Sequence, residues 1–152
     1  MLSRQASHAL KALLQLAGEP LRWQSTHELA STQQLPEPML EQLLLRLRRA
    51  GVLEARRGRL GGYRLARPAR AISLAAVLAG LGEAAAGRWL DTTTSTGDGQ
   101  EVSPADQVTE ALKRRLERAR IKALEQLSLE DLLFDLRSAE ASADSATGLL
   151  LG

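Results

Sequence analysis

The most restrictive feature of this chain is a leucine stripe that stops at a glycine and is followed at once by two short alternating segments. Leu40, Leu43, Leu44 and Leu47 recur at i, i+3, i+4 and i+7, which places them on one face of a helix running to about Ala50. Gly51 supplies the stop after that helix. Val52–Arg57 and Gly62–Leu65 then read as strands joined by Gly58-Arg59-Leu60-Gly61, a β-hairpin with an arginine-rich tip. Upstream, Gln34-Leu35-Pro36-Glu37-Pro38 is a rigid turn, because its prolines are tolerated only in the first turn of the helix that follows.

Two more helices precede the turn. Ser3 is the expected N-cap of the first, which carries Ala6, Leu10, Leu13, Leu14 and Ala17 on one face and ends at Gly18 and Pro20. Leu21-Arg22-Trp23 reads as a short extended piece. Ser25-Thr26-His27-Glu28 has the form of a capping box and opens a short second helix from about Thr26 to Gln33. Helix, short helix, turn, helix and hairpin follow one another in the order of a winged helix-turn-helix.

Beyond the hairpin, Pro68 ends the wing and Ser73 caps a small fourth helix through Leu81. Gly82–Val102 is rich in Ala, Gly, Thr, Ser and Asp, the composition of a loop. Ser103-Pro104-Ala105-Asp106 opens a long helix to about Leu127. Val108, Leu112, Leu116, Ala119, Ala123 and Leu127 form one stripe on it, and Ile121 with Leu124 begins a second, so this helix needs two partners. Ser128-Leu129-Glu130-Asp131 starts a last helix expected to end near Arg137. The expected fold is mostly α with a small β-hairpin wing, a winged helix-turn-helix plus a long C-terminal dimerisation helix. Its divisions are a DNA-binding domain over 1–81, a linker over 82–102, a dimerisation and terminal helix pair over 103–137, and a disordered tail over 138–152.

Charge is segregated along the chain. Residues 1–70 hold twelve Lys or Arg against five Asp or Glu, a net of +7, whereas residues 71–152 carry eight against thirteen, a net of −5. A basic front half and an acidic rear half imply that one end meets a polyanion. Eleven of the twelve front-half cations are arginine, whose fork suits phosphate and guanine. A solvated charged helix face is the ordinary reading of such residues. Here the hairpin that follows directly favours contact with double-stranded DNA.

Composition removes several chemistries. The 152 residues include no cysteine, which excludes disulfides, thiol catalysis, thiolate zinc sites and cysteine-held iron–sulfur clusters. His8 and His27 lie far apart without ligand spacing, and no Ser-His-Asp order or nucleophile elbow occurs, so neither an enzyme, a metal site nor a cofactor is expected. Gly58-Arg59-Leu60-Gly61-Gly62 lacks the Lys-Ser/Thr ending and the following helix of a nucleotide loop. No apolar run nears the ~20 residues of a membrane span, and the start lacks a secretory pattern, so a cytoplasmic setting is expected.

The candidate DNA-binding set begins with Arg4 at the start of the first helix and with Pro36, Glu37 and Met39 at the start of the third, near phosphates. Glu41, Gln42, Leu45, Arg46 and Arg49 are expected to face a groove. Arg56, Arg57, Gly58, Arg59 and Gly61 form the wing contact. Glutamate can accept from the cytosine amino group, and glutamine can pair two-pronged with adenine. Tyr63 reads as a core residue rather than a base-stacking one. Lys113-Arg114-Arg115 and Arg118-Ala119-Arg120 read as a solvated face of the long helix.

Leu40-Glu41-Gln42-Leu43-Leu44, Arg46-Leu47-Arg48, Ala50-Gly51-Val52-Leu53, Arg57-Gly58, Gly61-Gly62-Tyr63, Leu65-Ala66 and Ile72-Ser73-Leu74 together resemble the Rrf-two (BadM-type) family of bacterial winged-helix transcription regulators. The resemblance covers about residues 1–136. It implies a homodimer crossed through the long helix, with two winged heads on a partly palindromic operator. It also implies that Glu41 and Gln42 correspond to the family's base-reading pair, and Arg57 with Gly58 to its wing. Cluster-binding members carry three cysteines between the fourth helix and the dimerisation helix. Gly82–Val102 has none, so the chain resembles a clusterless branch, and Trp89 there reads as a hydrophobic anchor. The implied function is a sequence-specific regulator, a repressor acting as a homodimer, open to an unknown small-molecule or protein effector. The alternative is a dimeric winged-helix adaptor that docks on a protein, and an RNA reader is poorly supplied with aromatic residues.

Overall fold

The computed structural model describes residues 2–82 and 101–151. Helix α1 (Arg4–Gly18) starts where the Ser3 hydroxyl accepts the Ala6 amide at 3.0 Å. Its buried face holds Ala6, Ala9, Leu10, Leu13, Leu16 and Ala17. Helix α2 (Thr26–Gln33) is capped by Ser25, whose hydroxyl accepts the Glu28 amide at 3.1 Å. The expected box closes on this side only, because the Glu28 carboxylate takes the Arg22 guanidinium instead of returning to the cap. Gln34 ends α2 in the left-handed conformation, with φ of 54°. That reversal leads through Leu35 and Pro36 into α3 (Glu37–Arg49), which buries Leu40, Leu43, Leu44 and Leu47 as the stripe predicts.

Strands β1 (Leu53–Arg56) and β2 (Gly62–Leu65) pair antiparallel, with Leu53 opposite Leu65, Glu54 opposite Arg64, Ala55 opposite Tyr63 and Arg56 opposite Gly62. Gln24 adds a single third rung. Its amide donates to the Tyr63 carbonyl at 3.0 Å and its carbonyl accepts the Tyr63 amide at 2.8 Å. The extended piece expected at Leu21–Trp23 is therefore centred on Gln24, while Leu21 and Arg22 still belong to the turn that leaves α1. Gln24 is 1% exposed, and Gln15 satisfies its side chain by donating to its Oε1 at 2.9 Å.

After a 3-10 turn at Ala69–Ala71, helix α4 (Leu74–Gly80) is capped by Ser73. Helix α5 (Pro104–Gln126) opens with both halves of the Ser103–Asp106 capping box. Helix α6 (Leu129–Leu151) begins beside α4: the Leu74 amide donates to the Leu127 carbonyl at 2.8 Å, and the Leu129 amide donates to the Ile72 carbonyl at 2.9 Å. Leu129 and Leu133 join the core built by α1, α3, α4 and the hairpin, and α6 packs along α1.

Two expectations change. The last helix does not end near Arg137, and 138–151 is helical rather than a disordered tail. Four alanines fall between Ser138 and Thr147 without a proline, and Ser142, Ser145 and Thr147 satisfy their hydroxyls on carbonyls four residues back, at 2.9–3.0 Å. The helix-compatible run thus has no breaker until Gly148. Of the second stripe on α5, Leu124 packs against the core, whereas Ile121 stays 42% exposed. Residues 83–100, with most of the expected linker and Trp89, lie outside the described residues.

Candidate nucleic-acid interface

The turn and α3 place the expected residues in two groups. Pro36 is the N-cap of α3, and Glu37 in its first turn is exposed, with its Oε2 3.0 Å from His27 Nδ1 on α2. Met39 is half-buried and packs against the core, so it fixes the helix start more than it offers itself to a ligand. Gln42, Leu45, Arg46 and Arg49 share the face opposite the leucine stripe. Gln42, Arg46 and Arg49 are exposed and Leu45 is half-buried. Arg4 is exposed on the first turn of α1.

Glu41 is placed differently from its neighbour. It is half-buried, and its carboxylate is shared between two hydroxyls: Thr26 Oγ1 donates to Oε2, and the Tyr63 hydroxyl donates to Oε1 at 3.2 Å. The side chain thereby ties α2, α3 and β2 together at one point. Tyr63 is buried, as the alternation of β2 predicts. Burial and then the Glu41 charge raise its phenol above the ordinary tyrosine value, with Arg48 pulling slightly the other way.

The wing tip runs from Arg57 to Gly61. Arg56, Arg57, Gly58 and Arg59 are exposed, and the Gly61 amide closes the turn on the Gly58 carbonyl at 3.1 Å. Two glycines are sterically required. A Cβ on Gly61 would lie 2.0 Å from the Arg56 carbonyl oxygen. On Gly62, at φ of 138°, it would lie 2.3 Å from the Gln24 carbonyl oxygen. The hairpin in this conformation therefore admits only glycine at both positions.

Two further residues, Trp23 and Arg64, lie together beside the wing. The Arg64 guanidinium lies 4.2 Å from the centroid of the Trp23 ring and pairs with Glu54 directly across the hairpin. Arg56 stands 6.0 Å from the same ring. Trp23 is thus a half-buried platform beside the wing. No local pattern links it to Arg64, because their contact depends on the Gln24 rung. Arg64 was open to recognition, since strand alternation turns it away from Tyr63 and Leu65. Arg46, Arg49, Arg57 and Arg59 have no ion-pair partner among the described residues, although five carboxylates share their half of the chain.

The expected dimerisation residues lie on α5, none of whose residues is buried, and at its C-cap, Leu127. Val108 is 69% and Leu112 52% exposed; Ala119, Ala123 and Leu127 are exposed and Leu116 is half-buried. Phe134 on α6 is 71% exposed. The α5 side chains among these lie on one helical stripe that the described chain leaves largely exposed.

Known proteins share this fold. A family model described as Rrf2, iron-dependent transcriptional regulator, matches residues 2–135. A Synechocystis protein named as an HTH-type transcriptional regulator, slr0846, is 39% identical over 93% of this chain and 92% of its own length. The HTH-type transcriptional regulator IscR of Cereibacter sphaeroides is 35% identical over 87% of this chain and 86% of its own. Among solved structures, T. potens IscR superposes with a TM-score of 0.70 at 28% identity, covering 91% of this chain and 90% of that one. CymR, the global cysteine regulator of B. subtilis, gives 0.68 at 25% identity, covering 88% and 95%. The residues of this chain do not fit a thiolate-held iron–sulfur cluster: there is no cysteine, and no three His, Asp or Glu converge among the described residues. Matched along nearly its whole length by the family model and its relatives, the chain belongs to the Rrf2 family of transcriptional regulators, in a form without cysteine.

Proposed function

We propose that this chain is a homodimeric, sequence-specific DNA-binding repressor, each head seating α3 in a major groove and its wing in the flanking minor groove or on phosphates. The observation that carries this reading is the set of uncommitted arginines. Arg46 and Arg49 on α3 and Arg57 and Arg59 on the wing are exposed and unpaired among the described residues, while Tyr63 and Glu41 hold the wing against α3. A solvated face with no polyanionic partner would more often interleave its charges as ion pairs, as Lys113–Glu110 and Arg120–Glu117 do on α5.

Gln42 reads bases in this arrangement, and Glu41 acts partly by fixing the angle between helix and wing. Val108, Leu112, Leu116, Ala119, Ala123 and Leu127 pack on the same stripe of a second copy. Without thiolate ligands, any signal reaches the dimer through a small molecule or another protein.

Selection of genomic fragments on the purified full chain at ~150 mM salt tests the reading. It expects a two-fold related motif whose half-sites lie about one or two helical turns apart. Arg57→Ala and Arg59→Ala should weaken binding and make its salt dependence shallower. Absence of any enriched motif, together with capture of a protein by the same heads, would replace this reading with a docking adaptor.

A further inference from the structure

At the very tip of the wing, between Arg59 and Gly61, Leu60 is 83% exposed. A single surface leucine is ordinary, but this one occupies a place of defined geometry. The turn is closed by the Gly61 amide on the Gly58 carbonyl at 3.1 Å, Gly58 sits at φ of 102°, and a side chain at Gly61 would collide with backbone at 2.0 Å. The leucine therefore projects from a hydrogen-bonded turn whose conformation requires glycine at the position after it. Arg57 and Arg59, both exposed, lie on the residues around it, and the flanking glycines add no bulk.

We infer that Leu60 is an apolar minor-groove contact, seated in double-stranded DNA beside Arg59 at the tip of the wing; this rests on the DNA-binding reading given above. A minor groove about 6 Å wide admits one narrow, glycine-flanked tip. Its negative potential draws arginine, and its floor and sugar walls offer apolar surface to an aliphatic side chain. The charge of Arg57 and Arg59 brings the tip in, and burial of Leu60 makes the contact depend on groove width. Leu60 then responds to the shape of the flanking sequence, a different role from that of the base-facing Gln42.

The experiment uses the full-length protein and the duplex enriched by genomic selection. Leu60→Ala and Leu60→Met are compared with wild type by binding across a salt series and by hydroxyl-radical footprinting. Leu60→Ala is expected to lose about ten-fold in affinity with an unchanged salt slope, since no charge is removed. Protection of the flanking minor groove should fade in parallel, and Leu60→Met should retain both. Unchanged affinity of Leu60→Ala overturns the inference, as does a loss that leaves the flanking footprint intact or alters the mass of the free oligomer. Wild-type protein without affinity for any duplex would overturn the DNA-binding reading and this inference with it. Wild-type binding with an indifferent Leu60 would overturn this inference alone.

Discussion

The Tyr63 hydroxyl donates to Glu41 Oε1 at 3.2 Å and so joins the second strand of the wing to the middle of α3. Tyr63 is buried on the sheet face that covers the core, and Glu41 takes Thr26 Oγ1 on its other oxygen. Helices α2 and α3 and strand β2 are thus tied to one carboxylate.

The chain has one tyrosine, so its ultraviolet titration near 295 nm reports Tyr63 alone. The midpoint should lie above the ordinary value of about 10, because burial and the Glu41 charge oppose phenolate formation. The sign for stability follows. The folded phenol holds its proton to higher pH than the unfolded one, so the contribution is full below pH ~10 and is lost as pH rises through the folded midpoint. A Glu41→Gln variant should lower that midpoint; an unchanged value would show that the carboxylate does not act on the ring.

Glu41 and Gln42 are adjacent and should separate in their effects. Glu41→Ala leaves two hydroxyls without their acceptor and should cost about 1–3 kcal/mol of stability. Gln42→Ala removes an exposed side chain and should stay within ~0.5 kcal/mol, while relaxing base preference by about 1–3 kcal/mol at one position. Thermal unfolding and binding to a panel of substituted duplexes measure the two quantities. Equal stability losses in both variants would contradict the placement of Glu41.

Gly62→Ala places a Cβ 2.3 Å from the Gln24 carbonyl oxygen at a φ of 138° that alanine rarely adopts. The Gln24 rung and the hairpin cannot both survive, and the expected cost is about 2–4 kcal/mol. Amide exchange should show lost protection at Tyr63 and Gln24 first. Gly18→Ala, where nothing lies within 4 Å of the new methyl, is the matched control and should be close to neutral.

Leu112→Asp and Val108→Asp change residues that are 52% and 69% exposed in the single chain. They should leave the fold of the head intact yet convert a dimer into a monomer in sedimentation, because a carboxylate would be buried in an apolar seam. A monomeric wild type would remove α5 as the dimerisation element.

Much of the head could be read along the chain because its determinants are local. The leucine stripe of α3, the Ser3, Ser25, Ser73 and Ser103 caps, and the glycine-bounded hairpin depend on spacing within a few residues. The exposure of Arg46 and Arg49 followed from the same periodicity, since whatever opposes a buried stripe faces outward, and that of Arg57 and Arg59 from their place in the turn. The C-terminal boundary of α6 is not legible in composition, because small polar residues at 138–147 resemble a tail. Backbone hydrogen bonds and hydroxyls turned onto carbonyls make them helix instead.

What sequence alone determined, then, was the order of elements, their faces and the surplus of positive charge at the front of the chain, all encoded by near neighbours. Tertiary structure decided what each polar residue does on those faces. Glu41 and Gln42 are consecutive in a helix and both polar, yet a hydroxyl from fifteen residues upstream and another from twenty-two downstream half-bury the first and leave the second free. Trp23 meets Arg64 only because the Gln24 rung folds the α1–α2 connection against β2. Helical and strand periods fix the direction in which a side chain leaves its own element. Its partner comes from another element, and only packing of the whole core brings the two within hydrogen-bonding distance.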